Sequence, residues 1–238
     1  MNKHLRPLLL LLALVIGFPA HAGMFGPPGT PGKEGQWELG AGYFQEVSRL
    51  KKDGNFVEAT QTQKYGEIAF PGVCFSEDGE SFVRLGMADF DDGVRFKSDD
   101  ELFGAVGMRD VWYRSGGKKK STWRVGTIVQ VSYFAEAKAT AGSQTGTVKS
   151  IWRAGIAVPV RWEAMNRVSL YGGPYVAYGS ASFSQEPAVG TTSGTLKLKD
   201  VFGGVAGARI ELPKRFSLGV EVQASGATSL GAAVSYLF

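Results

Sequence analysis

The sequence predicts an all-β protein, an antiparallel up-and-down transmembrane β-barrel of about ten strands, with eight as the alternative. Three observations predict it. Residues 229–238 read SLGAAVSYLF, with Leu230, Ala232, Val234, Tyr236 and Phe238 on one face and Ser229, Gly231, Ala233 and Ser235 on the other. Side chains alternate across a strand, so one face is apolar and the other small and mostly polar. Such an edge invites aggregation in water. It suits a strand that closes a barrel with its apolar face in lipid. Two central strands carry the same alternation with aromatic residues at both ends, and the N-terminus reads as an export signal.

In the signal, Lys3 and Arg6 form the positive region, residues 8–18 the apolar run, and Ala20-His21-Ala22 an A-x-A cleavage site. The apolar run is shorter than the ~20 residues that span a bilayer. The expected division is signal peptide 1–22, leader 23–35 and barrel 36–238. Cleavage after Ala22 would remove both histidines, His4 and His21. It would also remove Lys3 and Arg6, taking the formal charge from +4 to +2. That bias is too weak to argue for nucleic acid, and the Lys118-Lys119-Lys120 run follows Gly116-Gly117 in what reads as a turn. With one cysteine, Cys74, no disulfide within the chain is possible, and the usual zinc and haem ligand sets are missing. No cofactor and no metal site is expected.

The leader, GMFGPPGTPGKEG, is rich in Gly and Pro, has no periodicity, and reads as flexible or extended rather than as an internal plug. Ten strands follow by alternation, near 36–47, 64–75, 81–90, 102–113, 122–134, 152–162, 168–182, 197–212, 216–224 and 229–238. The fourth alternates poorly. The fifth and sixth are the clearest. Trp123, Val125, Thr127, Val129, Val131 and Tyr133 share one face, as do Trp152, Ala154, Ile156, Val158, Val160 and Trp162. In each, the flanking aromatics are ten positions apart, about the length of a tilted spanning strand. Trp123, Tyr133, Trp152 and Trp162 are therefore expected to form aromatic girdles at the membrane interfaces. Short connections (76–80, 115–120, 163–167, 213–215) alternate with longer ones (49–63, 91–101, 135–146, 183–195), as periplasmic turns alternate with outer loops.

A terminal Phe238, with Tyr236 two residues before it and alternation running back from there, resembles the last strand of bacterial outer-membrane β-barrel proteins. The whole pattern resembles small barrels of the OmpA/OmpX type. The resemblance implies that Tyr236 and Phe238 belong to the signal read by the barrel-assembly machinery. It further implies partners in outer-membrane lipid, including lipopolysaccharide, and location in the outer membrane of a Gram-negative-type bacterium.

The mature chain would have no histidine, on which the outer-membrane lipases, acyltransferases and omptin proteases rely, and no spacing proposes another catalytic set. The expected protein is not an enzyme. The acidic run Asp89, Asp91, Asp92, Asp99, Asp100, Glu101 is expected as a solvated outer loop. The proposed inward faces carry Glu38, Glu67, Arg84, Arg124, Arg153, Arg161, Arg209 and Glu221. These charges either pair across a narrow interior and fill it or line a thin water path. The functional expectation is a structural or surface-exposed barrel, or a narrow pore. The alternative is an exported barrel that binds a small molecule or lipid, as lipocalins do.

Overall fold

Small inward and apolar outward side chains alternate through most of the chain and hold it extended. The computed structural model describes residues 25–26, 36–52, 55–71, 79–91, 97–115, 122–141, 144–165, 167–186, 192–198, 202–225 and 228–238. The strands are β1 (Glu38–Lys52), β2 (Asn55–Pro71), β3 (Glu80–Asp91), β4 (Glu101–Ser115), β5 (Trp123–Ala141), β6 (Gln144–Ala157) and β7 (Val160–Met165). They continue as β8 (Val168–Glu186), β9 (Thr192–Leu198), β10 (Phe202–Glu211), β11 (Phe216–Ala224) and β12 (Thr228–Leu237). All pairings are antiparallel, and β12 pairs back onto β1 from Glu38↔Leu237 to Gln45↔Leu230. β6 and β7 form one stave broken at Val158-Pro159, and β9 and β10 form another; β8 pairs with all four. The result is a closed barrel of ten staves, which leaves no edge along the wall.

Pro159 has no N–H to give the ladder, yet the wall holds there. Gly126 N–H donates to Pro159 O at 3.3 Å, and Val158 N–H donates to Pro174 O at 3.0 Å. A bulge between Val111 and Tyr113 shifts the register of β4 against β5. The extra residue flips the side chains from Tyr113 onward. Before it, Leu102 and Val106 face out while Phe103, Ala105 and Val111 face in, so apolar residues on both faces leave the fourth strand with poor alternation in the sequence.

Three of the four longer connections prove to be ladder rather than loop. β1 and β2 stay paired out to Lys52↔Asn55, and β5 and β6 out to Ala141↔Gln144. β8 and β9 pair out to Gln185↔Thr192. The sequence there is mostly polar residues and alanine, so no sustained alternation of large apolar residues marks it as strand. Only 97–100 of the acidic segment are described as non-strand, with 92–96 outside the described residues. The β11–β12 hairpin is short, closing at Ala224↔Thr228. Beyond it β1 and β9 pair directly, at Leu50↔Leu198 and Lys51↔Lys197. The sheet β5-β6-β8-β9-β1-β2 therefore rises past β3 and β4 as a collar on the long-hairpin end.

Inward glycines make room for inward rings. A Cβ on Gly207 would lie 2.3 Å from the Tyr171 ring, one on Gly107 2.4 Å from Phe82, and one on Gly203 2.7 Å from Tyr175. Each ring lies flat against the wall where a neighbouring stave has no side chain. Gly207→Val is expected to cost about 1–3 kcal/mol by overpacking, read as a lower urea midpoint of the refolded barrel.

Candidate functional site: the barrel interior

The interior side chains lie in three tiers. At the middle tier Arg109 on β4 is the hub. It donates to Glu80 Oε1 at 2.8 Å, to Glu67 Oε2 at 3.0 Å and, through Nε, to the carbonyl of Phe25 at 2.9 Å. Arg84 on β3 pairs with the same Glu67 and donates to Gln130 Oε1 at 2.9 Å. Phe82 lies between the two guanidiniums, with Arg109 4.2 Å and Arg84 4.6 Å from its ring centroid. Two cations and two carboxylates balance here, as buried charges must.

On the opposite wall Glu221 of β11, 1% exposed, is fully engaged. It accepts from Tyr171 Oη at 2.8 Å, Gln223 Nε2 at 2.7 Å, Gly26 N–H at 2.8 Å and Phe25 N–H at 3.3 Å. The Phe25 ring is fully buried and sits 5.4 Å from the Tyr175 ring. Part of the leader thus lies inside the barrel. That corrects the expectation of a leader with no internal role, which rested only on its shortness; two residues suffice because the lumen is already narrow.

Nearer the short turns, Arg209 donates to Glu38 Oε2 at 2.8 Å and Arg124 pairs with Glu163 at 3.0 Å, with Arg161 1% exposed on β7. Toward the collar, Arg153 on β6 pairs with Glu46 on β1 across the barrel. A cavity of about 60 Å³ remains beside Gly26, lined among others by Glu38, Glu67, Arg109, Tyr171 and Arg209. It has room for a few waters. Charge reversal by Arg153→Glu is expected to lower the urea midpoint, because two carboxylates would then face each other. The swap with Glu46→Arg should restore part of it.

The structure thus places Glu38, Glu67, Arg84, Arg124, Arg153, Arg161, Arg209 and Glu221 all inside. Arg109, Glu80, Glu46, Tyr171 and Phe25 complete the network and are not evident from the sequence. Arg109 lies in β4, where apolar residues on both faces make alternation unreadable, and Phe25 lies in a segment with no period at all.

Outside, Trp123 and Trp162 stack at 5.6 Å near the short turns, and Trp152 packs on Tyr178 at 5.4 Å toward the collar. Tyr133 is the cross-strand partner of Trp152. Tyr236 packs against Phe216 at 4.9 Å and edge-on to Phe238 at 5.0 Å, and Phe238 N–H donates to Trp37 O at 2.8 Å. The acidic segment is engaged pairwise, Asp100 with Lys64 at 3.0 Å and Asp91 with Lys97 at 3.9 Å. Among the described residues no group of three or more His, Cys, Asp or Glu is placed to hold a metal. In the collar, Lys138 and Lys149 beside Glu136 hold its carboxyl below the usual range.

No protein-family model and no curated protein matches this chain. Several solved barrels are similar in shape. The attachment invasion locus protein Ail of Yersinia pestis, solved with a heparin analogue, is 15% identical, covering 87% of this chain and 100% of its own, with a TM-score of 0.39. The translocator domain of autotransporter NalP from Neisseria meningitidis is 13% identical over 98% of this chain and 95% of its own, with a TM-score of 0.44. The outer membrane protein OprG from Pseudomonas aeruginosa is 11% identical over 87% and 97%, also at 0.44. Likeness at this level carries no argument about function; the closed ten-stave barrel rests on the strand pairing itself.

Proposed function

We propose that the chain is an integral outer-membrane β-barrel, exported by its signal peptide, non-enzymatic, with an interior closed to ions at rest and a sheet collar raised on the outer surface. One observation carries the membrane reading: the charge distribution is inside out for a soluble barrel. Leu85, Leu102, Val106, Ile156 and Val176 are about half to two-thirds exposed on the outside. Arg84, Arg109, Arg161 and Glu221 are buried within. A soluble lipocalin-like binder needs the reverse, an apolar cavity and a wet exterior. Between Trp123 and Tyr133 the strand rises about 33 Å, or about 25 Å along the axis of a barrel tilted near 40°. That matches the apolar band of an outer-membrane barrel.

The short turns then face the periplasm and the collar faces outward, toward lipopolysaccharide headgroups. Tyr236 and Phe238 would serve the assembly machinery before insertion. The closed interior follows from Phe25 and Gly26 held across the lumen between Glu221 and Arg109, with the charged side chains packed around them narrowing the rest. Membrane fractionation and heat-modifiable migration on a detergent gel test the proposal. Outer-membrane recovery and a fast-migrating unheated form are expected; carbonate extraction as a soluble protein would overturn it.

A further inference from the structure

We propose that the interior carries a receptor site for a short aromatic peptide, built from Glu221, Arg109 and Tyr175, and that Phe25 and Gly26 of the chain's own leader occupy it as a removable stopper. The inference rests on the membrane-barrel reading above. Its geometry is specific. Counting staves around the ring, β4 and β11 are five steps apart in ten and so face each other across the full diameter. The leader spans that diameter. Glu221 on β11 holds both of its amide N–H groups, and Arg109 on β4 holds the Phe25 carbonyl.

The recognition elements are those of a peptide site. Consecutive backbone donors meet one carboxylate, a carbonyl meets a guanidinium, and a ring meets a ring, with Tyr171 fixing the carboxylate through its hydroxyl. Gly26 adds a shape requirement. Its φ of +77° favours glycine, and a Cβ there would sit 3.1 Å from Arg109. The sequence Phe-Gly is therefore selected at both positions.

The occupant is separable from the wall. The barrel closes through the β1–β12 and β8–β10 ladders, neither of which uses a leader residue. Nine residues, 27–35, join the stopper to the wall. That is enough chain to reach up to about 30 Å when extended, so the stopper can leave without unfolding the barrel. Its departure would leave Glu221 and Arg109 facing each other across a wettable gap.

The test is the conductance of the refolded mature chain in a planar bilayer, against Phe25→Ala and the isosteric Glu221→Gln. The full chain is expected to be nearly silent. Phe25→Ala should open at least tenfold more often, and Glu221→Gln several-fold more often. Adding the peptide amide Gly-Met-Phe-Gly-Pro-Pro should return Phe25→Ala to silence, while the same peptide with Ala for Phe should not. Folded, inserted variants as silent as the full chain would overturn the stopper and leave the barrel reading standing. So would a full chain that conducts as freely as the variants, which would also end the closed interior. Failure of every chain to insert would overturn both readings. If Phe25→Ala does not refold, Glu221→Gln decides, an unchanged opening rate counting against the proposal.

Discussion

Arg109→Met is expected to lower the stability of the folded barrel by about 3–5 kcal/mol, the usual cost of breaking a buried ion pair from one side. The reason is what stays behind. Glu67 and Glu80 would keep their charges in a buried setting, with Arg84 alone to neutralise both. The Phe25 carbonyl would lose its donor, and Phe82 would lose one of the two guanidiniums on its ring. Met matches the stem of Arg in volume, so packing changes little and charge carries the effect. Adding Glu80→Gln to Arg109→Met should recover part of the loss, since it leaves one cation facing one carboxylate. The urea midpoint of the three refolded proteins checks this. Equal stability of Arg109→Met and the parent would show that the hub is not structural.

Ile156→Arg is expected to cost about 2–4 kcal/mol, the price of a cation on the lipid face near the midplane. Ile156 is half exposed and lies between the Trp152 and Trp162 levels of its stave. The control is Ala135→Arg, just beyond Tyr133 on the same face and also exposed. There the cation reaches the interface, and the cost falls to about 0–1 kcal/mol. A soluble barrel would show neither the penalty nor the difference, because exposed arginine is welcome in water. The pair of variants thus reads depth as well as exposure.

The wall was legible in the sequence because a barrel in lipid repeats one rule at every stave. Ile156 outward, Ala157 inward and Trp162 at the band's edge all follow from period two and from where an indole is comfortable. The same rule reaches the eight inward charges. It fails where the physics changes. The hairpins 49–63 and 135–146 are mostly polar residues and alanine, with no sustained alternation of large apolar residues, so they look like loops in the sequence; backbone pairing extends them. In β4 both faces mix apolar and small residues, Leu102 and Val106 outward with Phe103, Ala105 and Val111 inward, and that hides Arg109. Phe25 belongs to no strand, and its place is set by partners about two hundred residues away in β11. A single apolar residue in a Gly/Pro-rich leader carries no local sign of that.

Which way the wall faces separates a barrel in lipid from a barrel in water. Single nitroxide labels at positions 154, 155, 156, 157 and 160, placed one at a time in a Cys74→Ser background and reconstituted in bilayers, read it out. Oxygen collision is predicted to be high at 154, 156 and 160 and low at 155 and 157, with a water-soluble nickel chelate excluded throughout. Chelate access at 154, 156 and 160, or no alternation at all, would contradict the account.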